Sequence, residues 1–225
     1  MAEADPIIDD IFEDMYDQFQ KKKIVQSQNI DKAENVSLKY LGKLQGVLKR
    51  QFRRLYQDAR VQAIRELNKQ EFASPIPADE FLDFLDKETF RFIGEWEYRV
   101  TSKAKTALVN AIKDGKPLSE VISIMDNEGR KLSDESLERY ARTKSTEVFN
   151  KGRKEFFEES GVVSAYQYSA ILDNVTSEIC SGLHGTIFEK GTEPTPPMHF
   201  NCRSVLIPIT KYESYDPNQE RILHL

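Results

Sequence analysis

The sequence predicts a mainly α-helical protein with a small C-terminal α+β domain. Apolar residues recur at helical spacing from near the first residue to about residue 160. After Gly161 the pattern changes to short β-prone runs separated by Gly and Pro. With 39% hydrophobic and 31% charged residues, the chain is too polar for a compact α/β enzyme and too apolar for a disordered protein. An elongated helical hairpin joined to a short-stranded sheet fits all of these observations.

The first predicted element is an amphipathic helix over residues 6–26. Its apolar positions recur at helical spacing: Ile7, Ile8, Ile11, Phe12, Met15 and Phe19. The opposite face is acidic, and residues 1–20 contain no Lys or Arg. We interpret residues 1–35 as an acidic N-terminal arm. Two roles stay open for it: docking onto a basic partner surface, or capping the helices that follow.

Residues 36–130 predict a long helical hairpin with a basic face. The first helix runs from about Val36 to Phe72, and Ser74-Pro75-Ile76-Pro77 breaks it. The second helix covers residues 78–113. Its apolar face is Leu82, Leu85, Ile93, Trp96, Val100, Ala104, Ala107 and Ala111. Two such helices around a Pro-containing turn indicate an antiparallel pair.

The second hairpin helix also carries aromatic residues on more than one face. They are Phe81, Phe84, Phe90, Phe92, Trp96 and Tyr98. We expect most of them to be core, because exposed apolar patches are usually small. The alternative is burial against a partner subunit.

The remaining segment, residues 131–225, predicts the α+β domain. A short helix over residues 118–125 and a turn at Asn127-Glu128-Gly129 precede it. Ser133 with acids in the next two positions indicates a fresh helix start, and Gly161 is expected to cap that helix. The β-prone runs are residues 162–172, 186–188 and 204–207.

A basic cluster lies in the first hairpin helix. It consists of Lys49, Arg50, Arg53 and Arg54. Such a cluster can neutralise phosphates and bind double-stranded DNA without sequence preference. The alternative is a solvated helix face whose bases pair with acids of the arm or of the partner helix.

Both cysteines and two of the three histidines fall within residues 180–202. Cys180, His184, His199 and Cys202 supply the number and types of ligand for a tetrahedral structural zinc. The alternatives are a disulfide, or buried thiols and a hydrogen-bonded histidine in a metal-free loop network. A catalytic zinc is disfavoured, because four protein ligands would close the site.

The same window resembles the Mu F-like phage head morphogenesis family. The resemblance is carried by Asp173-x2-Thr176-x3-Cys180-x2-Leu183-x-Gly185 and by Pro196-Pro197-x-His199-x-Asn201-Cys202-Arg203-Ser204. Upstream, Ala141-Arg142-Thr143 and Asn150-x-Gly152-Arg153 match the preceding helix of that family. It implies motif residues at Arg142, Thr143, Asp173, Thr176, Gly185, Pro197, Asn201 and Arg203.

The resemblance implies a structural minor head protein of a tailed phage or prophage. Such a protein is located in the virion, at the portal vertex or in the head interior, and in the host cytoplasm during assembly. Its implied partners are portal, capsid or scaffold proteins, with packaged DNA and its ejection as a further hypothesis. The acidic arm would then dock onto a portal or scaffold surface.

Two other functions are alternatives to this one. The first is a nucleic-acid-binding protein with a zinc-stabilised C-terminal module. The second is a metal-dependent nuclease using Asp173, Glu178, His184 and His199. No Gly-x-Ser-x-Gly, phosphate-binding Gly loop or His-Glu-x2-His occurs, so we expect no enzyme activity. No apolar run approaches the ~20 residues of a membrane span, and the acidic N-terminus is unlike a secretory signal.

Overall fold

The computed structural model describes residues 4–21, 38–67, 79–114, 116 and 118–215. The helices are α1 Asp5–Lys21, α2 Leu41–Glu66, α3 Asp79–Lys113, α4 Leu118–Glu159 and α5 Glu178–Leu183. The strands are β1 Val163–Ser169, β2 Ile187–Glu189 and β3 Val205–Thr210. This mainly helical fold with a small C-terminal sheet confirms the predicted fold class. No helix in the described ranges combines the length and apolar character needed to cross a bilayer.

The chain divides into two compact units. The first combines Met1–Arg50 with Glu80–Glu138, and the second combines Gln51–Asp79 with Arg139–Leu225. The division therefore falls within α2 and within α4. The thiol and imidazole groups of the predicted metal site all belong to the second unit.

In the first unit, α1 buries the apolar face that the sequence predicted. The buried residues are Ile8, Ile11, Phe12 and Met15. The guanidinium of Arg130 lies 4.8 Å from the centre of the Phe12 ring and 2.7 Å from the Asp9 carboxylate. The apolar face of the acidic helix is thus packed within its own unit, while the choice between docking and capping stays a prediction.

The first part of α2 runs antiparallel to α3. Lys49 Nζ is 3.3 Å from the Asp86 carboxylate, and the Leu38 amide donates to Glu97 Oε1 at 3.0 Å. The residue that comes later in the first chain segment, Lys49, thus contacts the earlier residue of α3, which is the antiparallel arrangement of the predicted hairpin. The Pro-containing turn of that hairpin lies outside the described residues.

The expectation that most α3 aromatic residues form core is wrong. Trp96 is buried, but Phe84, Phe90 and Tyr98 are 47%, 69% and 73% exposed. The buried face of α3 is taken by the regularly spaced residues of the predicted stripe. Leu82, Leu85, Ile93, Val100, Ala104 and Ala111 are buried with Trp96. Phe84, Phe90 and Tyr98 lie at other angles on the helix and face outward, while Phe81 and Phe92 are half-buried.

The predicted turn at residues 127–129 and the fresh helix start at Ser133 are also wrong, because α4 is continuous from Leu118 to Glu159. Gly129 is needed for close packing and not for a turn: a Cβ there would lie 2.8 Å from Phe12 Cε1. Ser133, the predicted start, lies inside this helix, and Ser136 Oγ three residues later donates back to the Leu132 carbonyl at 2.5 Å. Gly129 and Ser133 are thus interior residues of one helix, and packing explains the glycine that the sequence indicated as a turn.

The end of α4 is where the sequence predicted it. The helix ends at Glu159, and Gly161 adopts a left-handed φ of 65°. A residue without a Cβ accepts this conformation at little cost, so the chain can turn directly into β1.

In the second unit, β1 is the central strand of an antiparallel sheet with the order β2-β1-β3. Tyr166 is opposite Phe188 on one side and Pro208 on the other. The core packs this sheet against α4, α5 and the end of α2. Its members include Ala63, Ile64, Phe156, Phe157, Tyr166, Tyr168, Cys180, Cys202 and Leu206. Both cysteines are therefore core residues.

Candidate functional site

Cys180 is positioned by the start of α5. Ser177 caps this short helix, and its Oγ accepts a hydrogen bond from the Cys180 amide at 3.2 Å. The Cys180 side chain enters the core, where its Sγ lies 3.3 Å from the Tyr168 hydroxyl of β1. A local capping signal thus fixes where the first thiol lies.

Cys180, His199 and Cys202 meet at one point. Cys180 Sγ is 3.1 Å from His199 Nε2 and 3.8 Å from Cys202 Sγ. The three ligand atoms lie within 4.8 Å of one another, close enough to share a metal ion. Both cysteines are buried free thiols, and His199 is partly exposed.

His184, the fourth predicted ligand, is not part of this group. It follows α5 as the C-terminal cap residue, and its backbone N–H bonds to the Cys180 carbonyl. Its Nδ1 accepts a hydrogen bond from the Ala170 amide at 3.0 Å. The imidazole therefore joins the end of α5 to the end of β1 and does not face the thiols.

The surroundings of Cys180 favour its thiolate form. Burial alone would raise the pKa of the Cys180 thiol, but its hydrogen bonds with Ser204, Tyr168, Ser177 and His199 lower the pKa to about 6. Burial conversely raises the pKa of the Tyr168 hydroxyl, so that group stays protonated and able to donate. A thiol with this pKa can hold a metal or act as a nucleophile.

The space beside this group is small. A pocket of about 10 Å³ is bounded by Cys180, His199, Ser177, Asn201 and neighbouring residues. That volume accommodates about one water molecule. The space enclosed beside the thiol and the imidazole is thus sufficient for an ion or a water.

A second feature of the site is the ion pair between Asp173 and Arg203. The Arg203 guanidinium donates to both carboxylate oxygens at 2.7 Å, in a bidentate arrangement. The single hydroxyl proton of Thr176 is shared between two acceptors, Asp173 Oδ1 at 3.0 Å and the Ile171 carbonyl at 2.5 Å. The ion pair lowers the pKa of the Asp173 carboxyl well below its usual range. It joins the loop after β1 to the segment that leads into β3.

The loop carrying His199 and Cys202 is also attached to α4. The backbone N–H of Asn201 donates to Thr143 Oγ1 at 2.9 Å, and Thr146 Oγ1 donates to the Cys202 carbonyl at 2.5 Å. Asn201 has a left-handed φ of 58°, which Asn tolerates better than most residues. The second thiol is therefore positioned by a helix that is distant in sequence.

The comparisons with known proteins agree with the sequence motifs. The family model Phage Mu protein F like protein matches residues 102–207, from within α3 to within β3. Residues 102–207 are a Mu F-like region. The match confirms the resemblance and links the chain to phage heads. No curated protein and no solved structure matches the chain.

Within the Mu F-like region, α4 holds β3 through two buried polar side chains. Asn150 Nδ2 donates to the Ser204 carbonyl at 3.0 Å, while its Oδ1 accepts from the Leu206 amide at 3.2 Å. Arg153 donates to the Leu206 carbonyl at 3.0 Å and pairs with Glu66 at 2.5 Å. These contacts explain why polar residues occupy the inner face of α4.

Three further Mu F-like motif residues are Gly185, Pro197 and Arg142. Gly185 has φ 83°, its amide donates to the Tyr168 carbonyl, and its own carbonyl accepts from Gln167. The peptide bond preceding Pro197 is cis. Arg142 is exposed on α4, and its role remains a prediction.

Several contacts of the Mu F-like region were not identified from the sequence. Hydrogen bonds to Cys180 or Cys202 come from three such residues, Tyr168, Thr146 and Ser204. Of these, only Ser204 is close in sequence to a cysteine. The two-residue alternation of Tyr166 and Tyr168 on β1 was an available signal for side chains sharing one face. Thr146 carried no comparable signal.

The predicted basic cluster lies upstream of the Mu F-like region, in α2. Lys49 pairs with Asp86, which is the alternative that the sequence left open. Arg50, Arg53 and Arg54 are exposed, and Arg54 is 4.0 Å from Asp58 on the same helix. DNA contact by these residues therefore remains a prediction.

Proposed function

We propose that this protein is a structural minor head protein of a tailed phage or prophage. In this proposal it associates with the portal or the capsid interior during head assembly and is retained in the virion. The observation that carries the proposal is the Mu F-like region, whose polar motif residues pair with each other. Asp173 binds Arg203, and Thr143 binds the Asn201 backbone. These side chains are used to hold loops in place.

The size of the thiol pocket supports a structural role over catalysis. A nuclease needs room for a phosphodiester beside its metal and its general base. The pocket at Cys180 and His199 has a volume of about 10 Å³, which is the space of one water. Asp173, which the nuclease hypothesis also used, is bound by Arg203.

The exposed aromatic residues of α3 support a protein partner. Phe90 and Tyr98 are 69% and 73% exposed, and aromatic side chains are enriched at protein interfaces. They lie on a helix whose buried face is already complete. A protein that acts by binding other head components is expected to carry such residues.

Co-purification tests the proposal directly. The tagged chain is co-expressed with the portal and capsid proteins encoded beside its gene, and complexes are separated by size. We expect it to elute with portal oligomers or capsid assemblies, also at about 0.5 M salt, where the Debye length is under 10 Å. Elution as a free chain in every combination, together with its absence from purified heads by mass spectrometry, would contradict the head role.

A nucleic-acid-binding protein with a zinc-stabilised module is the second candidate. Arg53 and Arg54 are exposed on α2, and this observation favours it. If DNA is the partner, the chain binds heparin and duplex DNA with a salt-dependent affinity, which Arg53→Gln/Arg54→Gln weakens. The matched control is Arg99→Gln/Lys105→Gln on α3. Equal binding by wild type and both variants would exclude the basic cluster as the DNA contact.

The nuclease hypothesis has its own test. Plasmid DNA is incubated with the purified chain and Mg²⁺, Mn²⁺ or Zn²⁺. We expect no metal-dependent cleavage. Cleavage that is lost in His199→Ala would replace the structural proposal with an enzymatic one.

A further inference from the structure

The structure assigns a three-ligand metal site to Cys180, His199 and Cys202, with one water as the fourth ligand and His184 excluded. The ion is of the soft or borderline divalent kind, with Zn²⁺ as the expected occupant, because two thiolates and an imidazole suit such ions. This inference is independent of the head role: the ion would fasten α5 to the loop before β3 whatever partner the chain binds.

The distance between the two sulfurs is the first argument. Two thiolates on one tetrahedral zinc, each about 2.3 Å from the ion, lie about 3.8 Å apart. Cys180 Sγ and Cys202 Sγ are 3.8 Å apart. A disulfide would require the same sulfurs to approach to about 2.05 Å. The spacing therefore suits a shared ion without movement of either buried cysteine.

His199 is the ligand that must adjust. Zinc–sulfur and zinc–nitrogen distances of about 2.3 and 2.05 Å place the two ligand atoms about 3.6 Å apart. Cys180 Sγ and His199 Nε2 are 3.1 Å apart, a separation typical of a hydrogen bond. His199 is partly exposed on a loop, whereas both cysteines are buried. An ion would therefore require the partly exposed imidazole to move about half an ångström away from Cys180 Sγ.

The tautomer of His199 is the second argument. Its Nδ1 lies 2.7 Å from the Phe200 carbonyl oxygen. A carbonyl oxygen only accepts, so Nδ1 carries a proton, and in the neutral ring Nε2 is the nitrogen whose lone pair is available to an ion. Metal-binding histidines commonly donate their second N–H to a carbonyl or carboxylate in this way.

His184 has the opposite arrangement. Its Nδ1 accepts a hydrogen bond from the Ala170 amide at 3.0 Å, so in the neutral ring the proton is on Nε2. Neither nitrogen then has a free lone pair for an ion. Recruiting His184 would break the bond that joins α5 to the end of β1, which explains why a four-residue protein ligand set is not formed.

The fourth position is best suited to water. The pocket beside Cys180 and His199 has room for about one water molecule, and Thr176, Ser177 and Asn201 contribute polar groups to its lining. A water bound there would be the fourth ligand of a tetrahedral ion, and the enclosed volume leaves no room for a second small molecule beside it. The site is therefore structural although it has only three protein ligands.

Cobalt substitution tests the ligand set. Co²⁺ alone is titrated into the reduced, metal-stripped full chain, and absorption is recorded from the ultraviolet to the red. We expect one equivalent to bind, with the intense visible bands of tetrahedral cobalt and the near-ultraviolet band of cobalt–thiolate bonds. One equivalent of Zn²⁺ should displace it. Octahedral spectra without a thiolate band, or no binding at micromolar Co²⁺ and Zn²⁺, would overturn the proposal.

Variants identify the ligands. Cys202→Ser should abolish the thiolate spectrum, and His199→Ala should lower affinity by at least about tenfold. The matched control is His184→Gln, which keeps a side-chain acceptor and should retain the wild-type spectrum and stoichiometry. Loss of binding in His184→Gln while far-UV circular dichroism stays unchanged would contradict the three-ligand assignment.

The cysteine variants could fail to fold, because both thiols belong to the core. In that case the proposal is tested on the wild-type chain by measuring how fast its cysteines react with a thiol reagent. One equivalent of Zn²⁺ should slow the reaction of both cysteines with a thiol reagent by at least about tenfold. Unchanged reactivity of either cysteine would refute the ion's structural role. The same role would be refuted if the metal-free chain forms a Cys180–Cys202 disulfide and still melts at the temperature of the zinc-treated chain.

Discussion

Gly152 of α4 lies so close to Tyr56 of α2 that a Cβ on Gly152 would be 2.8 Å from the Tyr56 carbonyl oxygen. The same Cβ would be 3.3 Å from the Ala59 Cβ. A backbone carbonyl inside a helix cannot rotate away, so the helices would have to separate. The glycine in the middle of α4 is therefore explained by contact with α2, within the second unit.

Gly152→Ala should destabilise the protein. Replacing a helical glycine by alanine normally gains up to about 1 kcal/mol, but overpacking costs about 1–3 kcal/mol. We expect a net loss of about 1–2 kcal/mol in chemical denaturation. The matched control is Gly94→Ala on α3, where nothing lies within 4 Å of the new methyl group and stability should rise. Equal effects of the two substitutions would contradict the close packing.

Asn150→Asp should be more harmful than its size suggests. The Asn150 amide nitrogen donates to the carbonyls of Thr146 and Ser204, and the residue is only 2% exposed. A carboxylate would place a buried charge against two carbonyl oxygens, for a loss of about 3–5 kcal/mol at neutral pH.

The pH dependence of Asn150→Asp provides its check. A carboxyl in this position has a raised pKa, so its penalty is full at high pH and shrinks as pH falls towards the unfolded value near 3.9. Asn127→Asp on the exposed part of α4 is the control and should change stability by less than about 0.5 kcal/mol. Denaturation curves at pH 7 and pH 5 should diverge for Asn150→Asp only.

Much of the fold follows from local sequence signals. The apolar stripes of α1 and α3, the strands after Gly161, and Gly161 itself are where the sequence predicted them. Each depends on spacing or on backbone preference within a few residues. The turn at Gly129 could not be predicted correctly, because only packing against Phe12 shows why a glycine is needed inside a continuous helix.

The site was predictable in composition but not in geometry. The clustering of Cys180, His199 and Cys202 in the sequence indicated a shared location, and the structure brings their ligand atoms together. The exclusion of His184 depends on the hydrogen bond to Ala170, which forms only when α5 packs beside β1. Likewise Thr146 reaches the Cys202 carbonyl across a tertiary contact that no local pattern encodes.

The Asp173–Arg203 pair should make the stability of the second unit pH-dependent. Its effect lowers the pKa of Asp173 in the folded state, so the stabilisation is complete above the unfolded value near 3.9. It is lost as pH falls through the folded-state pKa. We therefore expect Asp173→Asn to lower the melting temperature at pH 7, with the gap to wild type closing as pH falls below about 4.

The comparison needs a control for general acid effects. Asp58→Asn removes a carboxylate that is 4.0 Å from Arg54, with both side chains largely exposed. This weak pair should leave the melting temperature nearly unchanged at every pH. A gap for Asp173→Asn that stays constant from pH 7 to pH 3 would show that the ion pair is not the cause.

Lys154 and Glu193 form the most buried carboxylate contact of the second unit within the described residues. Lys154 Nζ is 2.5 Å from Glu193 Oε1, and the Glu193 side chain is fully buried. The Gly191 amide donates to its other oxygen at 2.6 Å. Although burial opposes ionisation, these bonds lower the pKa of the Glu193 carboxyl.

Lys154→Met should therefore leave a buried carboxylate that is held only by backbone amides of the loop, those of Gly191 and of Glu193 itself. Breaking a buried pair costs about 3–5 kcal/mol, and we expect about 2–3 kcal/mol here because Lys154 is 22% exposed. Adding Glu193→Gln should recover part of the loss, since the uncompensated charge is removed. The matched control is Lys151→Met, one turn earlier, whose partner Glu155 is 3.0 Å away and whose side chain is 45% exposed. The Lys151→Met change should cost less than about 1 kcal/mol. If the Lys154→Met/Glu193→Gln double variant is no more stable than Lys154→Met alone, the buried charge is not the source of the loss.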